Sequence, residues 1–185
     1  MRLIVVALLV LMISSPFAGA ASPAPDPAVA SLAKLSGAAF DAAYMRTLIP
    51  EHEESVEIAM AATLNADHSE LLKWNQRMME RKNAQVRQML AWLREAGTGP
   101  GQRYVGVVTP AVKKMRGLKS AGLERTYIPL IASHLERSAA LSRLAVQKAN
   151  RQEVRAMAQE IVRVESQEAT MLRSWLKKWY PEARG

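Results

Sequence analysis

The chain has 185 residues, of which 49% are hydrophobic and 23% charged, with a formal net charge of +8 and no cysteine. The missing cysteine excludes disulfides, thiolate metal sites and a cysteine-borne lipid anchor, so the fold must hold by packing alone. The positive balance favours anionic surfaces, such as lipid headgroups or cell-wall polymers. Nucleic acid is not expected as a partner, because basic and aromatic residues do not interleave as a single-strand platform requires.

Residues 1–20 read as a secretory signal peptide. Met1-Arg2 gives a positive start, Leu3 to Ile13 an unbroken apolar run, and Ala18-Gly19-Ala20 the small-x-small pattern of a cleavage site. The run is too short to cross a bilayer, and no later stretch is apolar enough, so the expectation is a periplasmic or secreted protein that is not transmembrane. Cleavage after Ala20 removes Arg2 and leaves a side-chain charge of +7.

Residues 21–34, rich in Ala, Pro and Ser, read as a flexible leader. From there the residues are strong helix formers, with no alternating strand pattern. A first helical hairpin is expected over 35–96, with helices from about Leu35 to Asn65 and Asp67 to Glu95. Pro50 bends or restarts the first of these. Asp67-His68-Ser69-Glu70 reads as a capping box between them, and His68 as a surface residue. A connector over 97–119 holds a short helix opened by Thr109-Pro110. A second hairpin is expected over 120–180, with helices from about Ala121 to Ala149 and Arg151 to Trp179, stopped by Pro181.

The two hairpins look like one unit used twice. Asn150-Arg151-Gln152-Glu153 repeats the cap at an offset of 83, and Trp175-Leu176 repeats Trp92-Leu93 at the same offset. Leu130-Ile131 and His134 repeat Leu48-Ile49 and His52 at an offset of 82, which one extra residue before the second turn would reconcile. The fold class expected is all-α, a four-helix bundle of two tandem hairpins.

Polar residues interrupt the apolar stripes. Lys82 and Gln85 fall on the stripe of Met78, Met89 and Leu93, and Glu165 and Glu168 on that of Ile161, Leu172 and Leu176. Glu51-His52 follows Pro50, and Ser133-His134 holds the place taken as equivalent. Carboxylates and imidazoles inside a four-helix bundle can build a metal site; imidazole with thioether suits copper, and imidazole with carboxylate suits zinc or iron. The same residues allow a plainer arrangement, an interior Lys82–Glu165 ion pair with methionine as core filler. Catalysis has little to stand on. There is no nucleophile elbow and no Gly-rich phosphate loop, and the ten aromatic residues are too few to line a sugar cleft, so no enzyme is expected.

Phe40-Asp41, Tyr44, Leu48-Ile49-Pro50-Glu51-His52, then Met89 and Trp92-Leu93 resemble the pattern of the domain of unknown function 305 (DUF305). The second half resembles it through Leu130-Ile131-Ala132-Ser133-His134, Glu165, Glu168 and Trp175-Leu176. The resemblance implies an exported, ferritin-like bundle that binds copper or another metal through His and Met. Carried over by position, it implies metal ligands among His52, His134, Glu51, Glu165, Glu168 and Met89. The chain departs from the pattern where the first histidine of the family's pair is Glu51 in one copy and Ser133 in the other. It departs again where Lys82 with Gln85 replaces a Gln-x-x-Glu pair. A lysine there would repel a bound cation.

Overall fold

The computed structural model describes residues 26–181, so the expected signal peptide and the first part of the leader lie outside the described residues. Part of the leader is ordered. Helix α1 covers Pro27–Leu32, capped by the Asp26 side chain, which accepts from the Ala28 N–H at 2.7 Å; Leu32 is buried. The Asp-Pro start is the same signal that opens the connector helix, with a cap acceptor followed by a proline whose missing N–H is not needed.

Four long helices make the bundle: α2 (Gly37–Thr63), α3 (Ser69–Glu95), α5 (Ser120–Lys148) and α6 (Gln152–Trp179). The short α4 (Pro110–Met115) sits in the connector, with Thr109 accepting from the Val112 N–H as its sequence announces. Pro50 in α2 and Pro129 in α5 both lie inside continuous helices, so neither restarts its helix. Helix α2 packs on α3 and α5 packs on α6, while α2 and α5 meet at the centre.

The burial pattern corrects the expected register. The twelve buried positions of α5, moved back by 83, all fall on buried positions of α2: Leu123 on Phe40, Tyr127 on Tyr44, Ile131 on Leu48, Ser138 on Ser55. A single offset of 83 therefore runs through the bundle, and no extra residue is needed before the second turn. Under that register the partner of His52 is Leu135, and the partner of His134 is Glu51. The expectation of a histidine at matched places in both copies is overturned, because Leu48-Ile49 and Leu130-Ile131 look alike but face the core one residue apart.

The turns hold a second correction. Asp67 and Asn150 do not cap the helices that follow; α3 and α6 begin with no side-chain cap at their own N-terminal residue. The backbone N–H groups of the two residues before each helix are met from the opposite hairpin. Asp41 of α2, nearly buried, accepts from Asn150 N–H at 2.9 Å and Arg151 N–H at 2.8 Å. Glu124 of α5 accepts from Asp67 N–H at 2.7 Å and His68 N–H at 2.9 Å. Asp41 and Glu124 are themselves 83 residues apart. Each supplies the anion that a helix start favours, and each ties the two hairpins together.

Two apolar clusters fill the interior. One joins Phe40, Tyr44, Leu48 and Met89 to Leu141 and Ile161; the other joins Ile58, Trp74 and Met78 to Tyr127, Ile131 and Leu172. Glu51, His52, Glu53 and Ser55 of α2, Lys82 and Gln85 of α3, Ser138 of α5 and Glu165 of α6 are buried polar residues that fall between these clusters along their helices and form a band across the middle of the bundle.

Candidate functional site

Lys82 is the centre of that band. Its side chain is fully buried, as are those of His52 and Glu165. The Lys82 Nζ donates to Glu165 Oε1 at 2.7 Å and to His52 Nδ1 at 3.3 Å, while His52 Nε2 stands 4.0 Å from Glu165 Oε1. Donation from the ammonium makes Nδ1 the acceptor, so the ring is neutral with its proton on Nε2. Burial and then the Lys82 charge hold His52 well below its ordinary pKa, with Gln85 opposing them. Burial pushes Glu165 upward against the pull of the Lys82 charge and hydrogen bond. His52 Nε2, Glu165 Oε2 and Gln85 Oε1 have no hydrogen-bond partner among the described residues.

Glu51, one residue before His52, belongs to a separate cluster at the edge of the band. Its Oε1 accepts from His134 Nδ1 at 2.6 Å, and its Oε2 accepts from Arg137, whose Nε also donates to Asp26 at 2.7 Å. Burial alone would raise the Glu51 pKa, but the His134 bond and the charges of His134, Arg137 and Lys82 hold it below its ordinary value. His134 is partly exposed and lines an open cleft of about 240 Å³ with Leu130, Ser133 and Arg137.

The six expected ligands are thus not one site. His52 and Glu165 meet in the core, with Lys82 between them. Glu51 and His134 meet at the cleft. Glu168 accepts from Arg81 at 2.5 Å, and Met89 lies in an apolar cluster. Among the described residues, no three His, Asp or Glu side chains gather to hold a metal ion. The core donors fit a cation already supplied by the chain rather than copper, since Lys82 takes both His52 Nδ1 and one oxygen of Glu165.

His68 is also corrected. It is not a bare surface residue: its Nδ1 bonds Glu124 Oε2 at 2.6 Å and its ring stacks on Trp179 at 3.8 Å. Tyr180 donates to the same carboxylate at 2.9 Å, and its own pKa is pushed up to about 12 by burial and by Glu124. The sequence signal for Asp41 and Glu124 was a carboxylate three residues before a tyrosine in each copy, at the common offset of 83.

The profile of the domain of unknown function (DUF305) matches residues 16–93 and 124–185, most of the chain. The chain belongs to the DUF305 family. Among solved structures it is similar to CopM in the Cu(I)-bound form, with a TM-score of 0.68 and 18% identity over 76% of this chain and 97% of that one. CopM in the apo form gives a TM-score of 0.65 at 18% identity, over 76% and 98% of the two chains. A DUF305 protein from Streptomyces coelicolor, assigned as secreted, gives 0.68 at 18% identity, over 75% and 91%. At such identity the likeness is one of fold. No protein of curated function matches the sequence. No helix of the described residues is long and apolar enough to cross a membrane.

Proposed function

We propose that this chain is an exported, non-enzymatic DUF305 bundle whose core is closed by its own cation. It would serve as an envelope interaction protein with no resident copper in that core. One observation carries the reading: Lys82 Nζ lies within hydrogen-bond reach of both His52 Nδ1 and Glu165 Oε1. A metal cation at these donors would have to displace a buried ammonium or sit against it, and like charges at such separations repel strongly in a low-dielectric interior.

A second reading is a weak copper contact at the surface. It is favoured by His134, whose Nδ1 is fixed by Glu51 while the ring borders an open cleft, and by the copper-bound forms in which CopM is known. Arg137 beside the cleft opposes a cation there and would keep the affinity low.

Titration of the processed protein with Cu(I), Cu(II) and Zn(II) separates the two. The parent is expected to bind no ion tighter than about micromolar. Any weaker copper binding should vanish in His134→Ala and persist in His52→Ala. Submicromolar copper binding that is lost in His52→Ala or Glu165→Gln would overturn the cation-closed core.

A further inference from the structure

The connector, residues 97–119, has a composition unlike the helices it joins. It contains Arg103, Lys113, Lys114, Arg116 and Lys119 and no Asp or Glu. All five cations are exposed, and of them only Arg103 is in an ion pair among the described residues, with Glu53. Elsewhere basic and acidic residues interleave, so this short stretch holds much of the chain's positive excess.

The same flank carries the apolar surface. The large apolar side chains that stand exposed among the described residues are Met60, Leu64, Val105, Val107 and Val108. Leu64 is 90% exposed and Val105 65%. The connector is pinned along the second half of α2, which brings these groups to one side. Glu53 accepts from Arg103 at 2.5 Å and from Tyr104 N–H at 2.6 Å, and Glu57 accepts from Gly106 N–H at 2.7 Å. Val105 and Met60 line one hollow, and Ser120 N–H donates to Asn65 O at 2.8 Å beside Leu64. Gly106, at a φ of 69°, makes the turn from which Val105 and Val107 project.

We infer that this flank docks the protein on an anionic lipid surface, with the valines entering the headgroup region and Lys113, Lys114, Arg116 and Lys119 resting on the phosphates. Two signals in one place are what reversible membrane attachment requires, an apolar insertion and a basic patch. Of the two carboxylates bonded to the connector, Glu53 is paired with Arg103, and the single charge of Glu57 is outnumbered by the four unpaired cations of residues 113–119. Soluble anionic polymers are the less fitting occupant, because they would use the cations and leave the valines in water. The inference does not depend on whether the core binds a metal.

The experiment is co-sedimentation of the processed protein with vesicles of phosphatidylcholine, with and without phosphatidylglycerol. Variants and parent share one N-terminus, so its contribution cancels, and far-UV circular dichroism checks that each is folded. Binding is expected only with phosphatidylglycerol, falling by about tenfold or more from low to high salt. Replacing the four cations of residues 113–119 by Gln should weaken it on the order of 100-fold. Val105→Ser with Val107→Ser and Val108→Ser should weaken it by about tenfold with the salt dependence kept. Equal binding to phosphatidylcholine alone, or no loss in either variant, would overturn the inference. So would soluble polyphosphate binding as tightly as vesicles with the valine variant unaffected, which would make the flank a polymer site.

Discussion

The two hairpins differ most where they meet themselves. Contacts away from the centre come in pairs: Asp41 holds the start of α6, and 83 residues later Glu124 holds the start of α3. Contacts between a residue and its own equivalent come once, and these have diverged. Lys82 binds Glu165 and Glu51 binds His134, each pair 83 residues apart. Under twofold exchange a residue that touches its own equivalent lies at the axis. In two identical copies such positions would set lysine against lysine or glutamate against glutamate, and buried like charges are costly. Joining the copies in one chain lets each half carry the opposite member, so a repulsive point becomes an ion pair. That freedom is also what fills the core with an ammonium.

Breaking the central pair should have the largest effect. Lys82→Met leaves Glu165 buried without its partner and is expected to cost about 3–5 kcal/mol, read by urea denaturation at neutral pH. Lys82→Met with Glu165→Leu should recover most of that, since replacing both members by packed apolar groups is often neutral. The sign of the pH dependence follows from Glu165, which burial raises and Lys82 lowers. Without Lys82 the burial that raises Glu165 is less opposed, so the folded carboxyl keeps its proton further above the ordinary value of 4.5, while burial still holds His52 neutral. Above 4.5 the unfolded chain has released the Glu165 proton, so the folded variant binds more protons and its stability falls as pH rises. Relative to the parent, Lys82→Met should therefore lose stability as pH rises above about 4.5. A difference from the parent that does not change with pH would mean that Glu165 is not the group left behind.

The paired caps offer a finer comparison. Glu124 accepts two backbone N–H groups and also His68 and Tyr180, whereas Asp41 accepts only the backbone pair. Glu124→Gln is expected to cost about 2–3 kcal/mol and Asp41→Asn about 1–2 kcal/mol, in thermal or urea melts. Burial alone would raise the Glu124 pKa, but the bonds from His68, Tyr180 and Asp67 lower it below 4.5. A depressed carboxyl contributes stability that is present above its unfolded pKa and lost as pH falls through the folded one. Glu124→Gln should flatten the loss of stability below about pH 4.5. Equal costs for the two substitutions would mean that the His68 and Tyr180 contacts add nothing.

Helix existence was legible because it rests on local propensity and apolar period, and each long helix lies within a few residues of its expected span. Helix α1 was missed although Asp26-Pro27 carries the signal that revealed α4, since small residues in a short stretch read as leader. The interior Lys82–Glu165 pair was one of two readings open in the sequence, because both residues fall on apolar stripes. What separates that pair from a metal site is which side chains meet across helices, and no stripe encodes that. The histidine register went wrong for a similar reason: a local likeness, Leu-Ile, outweighed a shift of one residue, which on a helix turns a side chain by about 100°. The caps from Asp41 and Glu124 lie too far along the chain from their targets for a local motif to show them.

The smallest test concerns where the two halves begin. Helices α2 and α5 both start on a left-handed residue, Gly37 at a φ of 60° and Ser120 at 48°, again 83 residues apart. Glycine adopts that backbone without strain, whereas a side-chain-bearing residue is penalised by roughly 1–2 kcal/mol. Ser120 gains something in return, because its Oγ donates to Asp67 Oδ1 at 3.1 Å. That bond is exposed and worth little, and glycine would cost about 0.5–1 kcal/mol in added freedom of the unfolded chain. Ser120→Gly should therefore stabilise slightly, by about 0.5 kcal/mol, while Gly37→Ala should destabilise by about 1 kcal/mol, both read as shifts in the urea midpoint. No atom lies within 4 Å of a Cβ placed on Gly37, so its cost would come from the backbone alone. If Ser120→Gly instead destabilised, the Oγ–Asp67 bond would be holding the turn between α2 and α3.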